Sequence, residues 1–220
     1  MKKLTVWLWV LSLVLGVSTS SWALLIDRGG GLIYDDALSI TWLQNANLAA
    51  SEDFGVTGID INGQMTWDTA NDWISGLNTA NYLGYNNWRL PSLDVNGDGD
   101  VVAYWLEGEL STRDNEMGYM YRYNLGGALG DDLTGDQMIG SVSLLNIMDD
   151  YWSSTDGPSG GKRTFNFFDG TQPQAGPLNT YHAWAVRDGD VPPATIPEPG
   201  TFFLLCAGLI GLAGLGRKNR

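Results

Sequence analysis

The chain has 220 residues, with 25 Asp and Glu against 12 Lys and Arg, one histidine and one cysteine, for a formal net charge of −13. Setting aside Lys2, Lys3, Arg217, Lys218, Arg220 and Glu198 at the two ends leaves seven basic against 24 acidic residues between them, a net of −17. A surface this negative repels nucleic acid and anionic lipid and favours cations or neutral polymers as partners. With Cys206 the lone thiol and His182 the lone imidazole, an intramolecular disulfide and the usual His/Cys zinc sites are excluded.

Residues 1–23 combine Lys2 and Lys3, an apolar stretch from Leu4 to Val17, and a small-polar run ending Ser21-Trp22-Ala23. This pattern predicts a secretory signal peptide cut after Ala23; the alternative, an uncleaved anchor, fits the short apolar core less well. Residues 24–190 are then expected to form one exported domain, followed by a proline-rich linker over 191–195. The domain opens with LLIDRGGGLIYDDALSITWLQNANLA, two short strands around Gly29-Gly30-Gly31, a turn at Asp35-Asp36, a third strand from Ile40 to Trp42, and a small-residue helix. The glycines do not make a phosphate loop, because no GK[ST] follows and no βαβ unit frames them.

From Thr66 to Asn78, TWDTANDWISGLN sets Trp67, Ala70, Trp73, Ile74 and Leu77 at helical spacing, with Thr66 as N-cap and Gly76 near the end. Buried packing is the expected role of this tryptophan stripe, and a sugar platform is the alternative. A second helix is expected over Asn115 to Asn124. Aromatic clusters between Gly/Asp turns around Tyr151, Phe165 and Trp184 then predict antiparallel strands in the last third of the domain. The expected fold class is α+β: a Trp-rich, loop-rich antiparallel sheet with two or three short helices.

Asp94, Asn96, Asp98 and Asp100 in DVNGDGD place oxygen ligands at alternate positions, with Gly99 sixth, as in the first half of an EF-hand loop, which suggests calcium. The twelfth position is Trp105, and Glu107 and Glu109 reach the loop only if it deforms, so a solvated Asx/Gly turn is the competing reading. Arg89 and Arg187 are expected to be partners for Asp side chains. Nothing points to catalysis: His182 lies between core aromatics, and the many carboxylates neither define nor exclude a glycosidase pair. The expectation is therefore a non-enzyme.

The chain ends with Pro197-Glu198-Pro199, an apolar helix expected over residues 202–216, and a basic tip, Arg217, Lys218 and Arg220. Fifteen helical residues span about 22 Å, short of a bilayer core of about 30 Å. The basic end favours the cytoplasmic side, and the proline-stiffened motif is held extended at the outer face. This tail, residues 196–220, closely resembles the PEP-CTERM sorting signal of Gram-negative bacteria. The resemblance implies an exosortase as processing partner, transient residence in the inner membrane, and a place in an exopolysaccharide or biofilm matrix at the cell surface.

A second resemblance is carried by the order TW…A…W…LN, GYNNWRLPS, EMGYMY, YWSST and AWAVRDGD, which is similar to the Lcl C-terminal domain family of secreted bacterial proteins. It implies a sheet of C-type-lectin-like or formylglycine-generating-enzyme-like character and, more weakly, polysaccharide as ligand. The acidic insertion DVNGDGD departs from that family's pattern after WRLPS. The function expected from the sequence is a non-catalytic polysaccharide-contacting matrix protein; a purely structural surface protein and a matrix polysaccharide hydrolase are the alternatives.

Overall fold

The computed structural model describes residues 25–176 and 178–192. The signal peptide, linker residues 193–195, the sorting motif Pro197, Glu198 and Pro199, the apolar run and the basic Arg217, Lys218 and Arg220 lie outside the described residues. Among the described residues no helix is long and apolar enough to cross a membrane.

Strands β1 (Leu25–Gly29), β2 (Leu32–Asp35) and β3 (Ile40–Leu43) form an antiparallel meander. Gly29, Gly30 and Gly31 all adopt positive φ (+76°, +64° and +89°), the left-handed conformation that this tight reversal demands and that a side chain disfavours. The expected small-residue helix after β3 is a single 3-10 turn, Leu48–Ala50.

Helix α1 (Trp67–Thr79) follows the predicted pattern: Thr66 caps it by accepting from the Thr69 amide at 3.3 Å, and Ala70, Trp73, Ile74 and Leu77 are buried. Trp67 packs against the core while only partly buried, donating Nε1–H to the Ser153 carbonyl at 2.9 Å with the Lys162 ammonium 3.8 Å from its ring centroid. The short strand β4 (Trp88–Arg89) follows, then helices α2 (Glu109–Thr112) and α3 (Glu116–Tyr119). Asn115 caps α3 through the Gly118 amide at 2.8 Å, and a π turn, Met120–Asn124, completes the helix expected over 115–124.

Hairpin β5 (Gly135–Ile139) and β6 (Val142–Ile147) is a separate two-stranded sheet that sequence reading missed. Its signal was present, since Val142, Leu144 and Ile147 are buried around the Gly140 turn. Strands β7 (Asp150–Asp156), β8 (Lys162–Asn166) and β9 (Gln174–Ala175) form a three-stranded antiparallel sheet.

The last strand, β10 (Val186–Asp188), does not extend that sheet. It inserts between β3 and β4, giving the order β1-β2-β3-β10-β4, with Val186 opposite both Trp42 and Arg89. Tyr181 and His182 make only isolated bridges, to Met65 and Tyr151, so the core strand expected around Trp184 begins two residues after it. Trp184 enters the core from this irregular segment, donating Nε1–H to the Leu43 carbonyl at 2.7 Å.

Aromatic side chains join the two larger sheets. Neighbouring rings run Trp42, Trp184, Tyr151, Phe167, Phe165 and Tyr121, with centroid separations of 4.7, 5.8, 5.5, 5.0 and 5.6 Å. All six residues are fully buried. Tilted and edge-on pairs at such distances add about 0.5–1.5 kcal/mol each beyond the area they remove from water. In a domain without a thiol, this chain of rings supplies the cross-linking that disulfides give other exported folds.

Candidate functional site

Trp88-Arg89-Leu90-Pro91-Ser92 delivers the chain from β4 into the acidic loop, and buried polar contacts clamp its entrance. Arg89 Nη1 and Nη2 donate to both oxygens of Glu116, at 2.8 and 2.6 Å, and Glu116, only 3% exposed, also accepts from the Ser92 amide at 2.7 Å. Asp188 of β10 takes a further Arg89 bond at 2.6 Å. These carboxylates hold the guanidinium above its ordinary pKa although burial pulls the other way. The Leu93 amide then donates to Thr155 Oγ1 at 2.8 Å, tying the loop to β7.

Beyond this clamp Asp94 organises the loop. Its Oδ1 accepts from the amides of Gly97 (2.9 Å) and Asp98 (3.2 Å), and its Oδ2 from the amide of Gly99 (2.9 Å). Gly97 and Gly99 have φ of +74° and +89°, which wraps the backbone around the carboxylate. Asn96 Oδ1 accepts from the Asp98 amide (2.8 Å), and Asp98 Oδ1 from the Asp100 amide (2.9 Å).

Asp114, after α2, closes the loop by accepting from the Asn96 amide at 2.7 Å while its carbonyl accepts from Val95. Of the four sequence-derived residues, Asp94 and Asp98 converge with Asp114, each presenting a carboxylate oxygen within 4.8 Å of the others. Asp100 is not one of the three, and Asn96 spends its Oδ1 on the loop and its amide nitrogen on Asp98 Oδ2, at 3.1 Å. Sequence reasoning missed Asp114, because it lies 20 positions from Asp94 with α2 folded between them. Glu109 is engaged elsewhere: Arg113 at 3.0 Å and the Tyr119 hydroxyl at 2.9 Å both donate to it and hold its carboxyl below the usual range.

The carboxylates rim an open cavity of about 470 Å³ walled by Val95, Val102 and Leu110 and lined also by Asp98, Asp100 and Asp114. Val95 and Leu110 are 54% and 78% exposed. A smaller hollow beside Ser92 and Ser154 is lined by the ion-paired Arg89, Glu116 and Asp188. Arg187, expected to pair with an Asp side chain, instead donates to Asn87 Oδ1 at 2.9 Å and lies 4.2 Å from the Tyr85 ring centroid. His182 is buried with Nδ1 3.2 Å from the Asp150 carbonyl, and burial holds its imidazole below the ordinary value.

Residues 195–218 match the model of the PEP-CTERM protein-sorting motif. That motif indicates an exosortase-sorted extracellular protein, exported and anchored by its C-terminal segment before processing. No curated protein matches the chain.

Proposed function

We propose that this exosortase substrate belongs to a Gram-negative cell surface or biofilm matrix and that its Trp-rich domain contacts polysaccharide without catalysis. The sorting motif at 195–218 carries the extracellular placement. For the ligand class, the supporting observation is the open cavity beside α2, where exposed Val95 and Leu110 stand next to carboxylates. A pyranose ring offers C–H faces to apolar walls and hydroxyl donors to carboxylate oxygens. The resemblance to the Lcl C-terminal domain, and through it to C-type-lectin-like sheets, belongs to the same proposal.

A non-catalytic role fits the chemistry of this rim. Glycoside hydrolysis needs a carboxyl kept protonated by an apolar pocket, whereas Asp98 and Asp100 are exposed and Asp94 and Asp114 half-buried. Calcium at Asp94 and Asp98, with Asp114 as an additional carboxylate, is part of the proposal as a stabiliser of the loop. A purely structural role is the second reading. It is favoured by the covering of half-exposed rings: Lys162 lies over Trp67, Arg28 over Tyr34 and Arg187 over Tyr85.

The test is thermal unfolding of the purified protein with the producing cell's exopolysaccharide, with calcium and with chelator. Polysaccharide should raise Tm, and indifference to it would leave the structural reading. Shortening of the polymer with time would instead reveal a hydrolase. Calcium at about a hundred times its Kd should stabilise by about 2.7 kcal/mol, and Asp94→Ala with Asp98→Ala should abolish that gain. A wild-type protein unmoved by chelator removes calcium from the reading.

A further inference from the structure

The cavity beside α2 has a charge that its walls do not balance. Asp98, Asp100 and Asp114 line it, and the one cation there, Arg113, is held by Glu109 at 3.0 Å and lies 5.9 Å from the Tyr119 ring centroid. The imbalance extends to the whole domain, in which seven basic residues face 24 acidic ones. Four of those seven, Arg28, Arg89, Arg113 and Lys162, are already paired with carboxylates. An anionic polymer approaching this face is repelled, and a cationic one is drawn to it.

From this complementarity we propose that the cavity is a docking groove for a cationic amino-sugar polymer, a polysaccharide whose 2-amino groups are free and protonated. The ammonium lies between Asp98 and Asp114, and the C–H face of the same or the adjoining ring lies against Val95 and Leu110. The groove suits a sugar better than a bare ion, since a cavity of about 470 Å³ with two exposed apolar walls is far larger than a cation requires. Calcium at Asp94, Asp98 and Asp114 would neutralise the same rim, so calcium and the amino sugar weaken each other by the same factor. This inference rests on the polysaccharide-contact reading and names its ligand class.

The experiment is calorimetric titration of the purified protein at about pH 6. The probes are a glucosamine hexamer, its fully N-acetylated counterpart and a lysine hexamer. The glucosamine hexamer should bind and the acetylated one should not. Asp98→Asn with Asp114→Asn should weaken binding about tenfold, as expected for two partly exposed charge contacts. Asp68→Asn with Asp72→Asn, an equal change of net charge on the exposed side of α1, should leave affinity unchanged. Leu110→Ser, at a site exposed enough to spare the fold, should weaken binding through lost ring contact.

Equal binding of both sugars, or equal losses in the two double variants, overturns the inference, the latter by showing only diffuse attraction. Tighter binding of the lysine hexamer with the same variant dependence also overturns it, in favour of a basic protein partner. If neither sugar hexamer binds while the exopolysaccharide still raises Tm, the amino-sugar inference falls and the polysaccharide reading stands. If the exopolysaccharide fails too, both fall.

Discussion

Asp35 ends β2 with its carboxyl fully buried, and three donors meet it there. Oδ1 accepts from the amides of Ala37 and Leu38, at 3.1 and 3.2 Å, and Oδ2 from Asn124 Nδ2 at 2.6 Å. Burial outweighs these bonds and pushes the pKa from 3.8 up to about 6. The folded protein therefore keeps this proton over a range in which the unfolded chain has released it. The stability it brings is complete below about pH 4 and is lost as pH rises to about 6, on the order of 3 kcal/mol. Asp35→Asn should flatten that part of the stability profile in urea titrations from pH 4 to 7. Asn124 Oδ1, buried without a partner, can accept from the new amide if the Asn124 side chain flips. Half-buried Asp150, also shifted upward, leaves a residual slope of the same sign. His182, shifted downward, has the opposite sign, losing stability as pH falls below about 6.5. A variant with the wild-type slope would remove Asp35 as its source. The sequence marks Asp35 and Asp36 only as a turn; that Asn124 would close over the first came from packing across 89 positions.

At the scale of elements, local chemistry was the readable part. The Thr66 cap, the α1 positions Ala70, Trp73, Ile74 and Leu77, and the β1–β2 glycine turn are all set by neighbours within a few residues, and the structure has them where the pattern puts them. Gly76 carries tertiary information that helical spacing does not. A Cβ there would meet Phe54 Cβ at 2.9 Å, because the 53–56 segment packs directly on the helix backbone. Alanine normally gains about 1 kcal/mol over glycine within a helix, but here overpacking of about 1–3 kcal/mol opposes it. Gly76→Ala should therefore fail to stabilise, and should lower Tm if Phe54 cannot retreat. A clear rise in Tm would show that the 53–56 segment yields easily. The β5–β6 hairpin had a local signal that was missed, whereas the insertion of β10 was not legible, since strand partners depend on the folded path and not on the residues within one strand.

For the molecule as a whole, the C-terminal segment carries the address, and the middle carries the proposed contact surface. Glu198→Ala with Pro199→Ala should leave export intact and block removal of the C-terminal segment, giving a larger, membrane-retained product on immunoblots. Mature protein of unchanged size in that variant would sink exosortase processing at this motif. The sequence by itself determined the sorting motif, the acidic excess, the α+β character and the Trp-rich core, because each depends on composition or on residues close in the chain. Only the tertiary structure decided that β10 closes the first sheet, that Arg89 locks Glu116 at the mouth of the acidic loop, and that Asp114 joins Asp94 and Asp98. These arrangements depend on which distant surfaces bury one another, and burial is a property of the packed chain rather than of any segment.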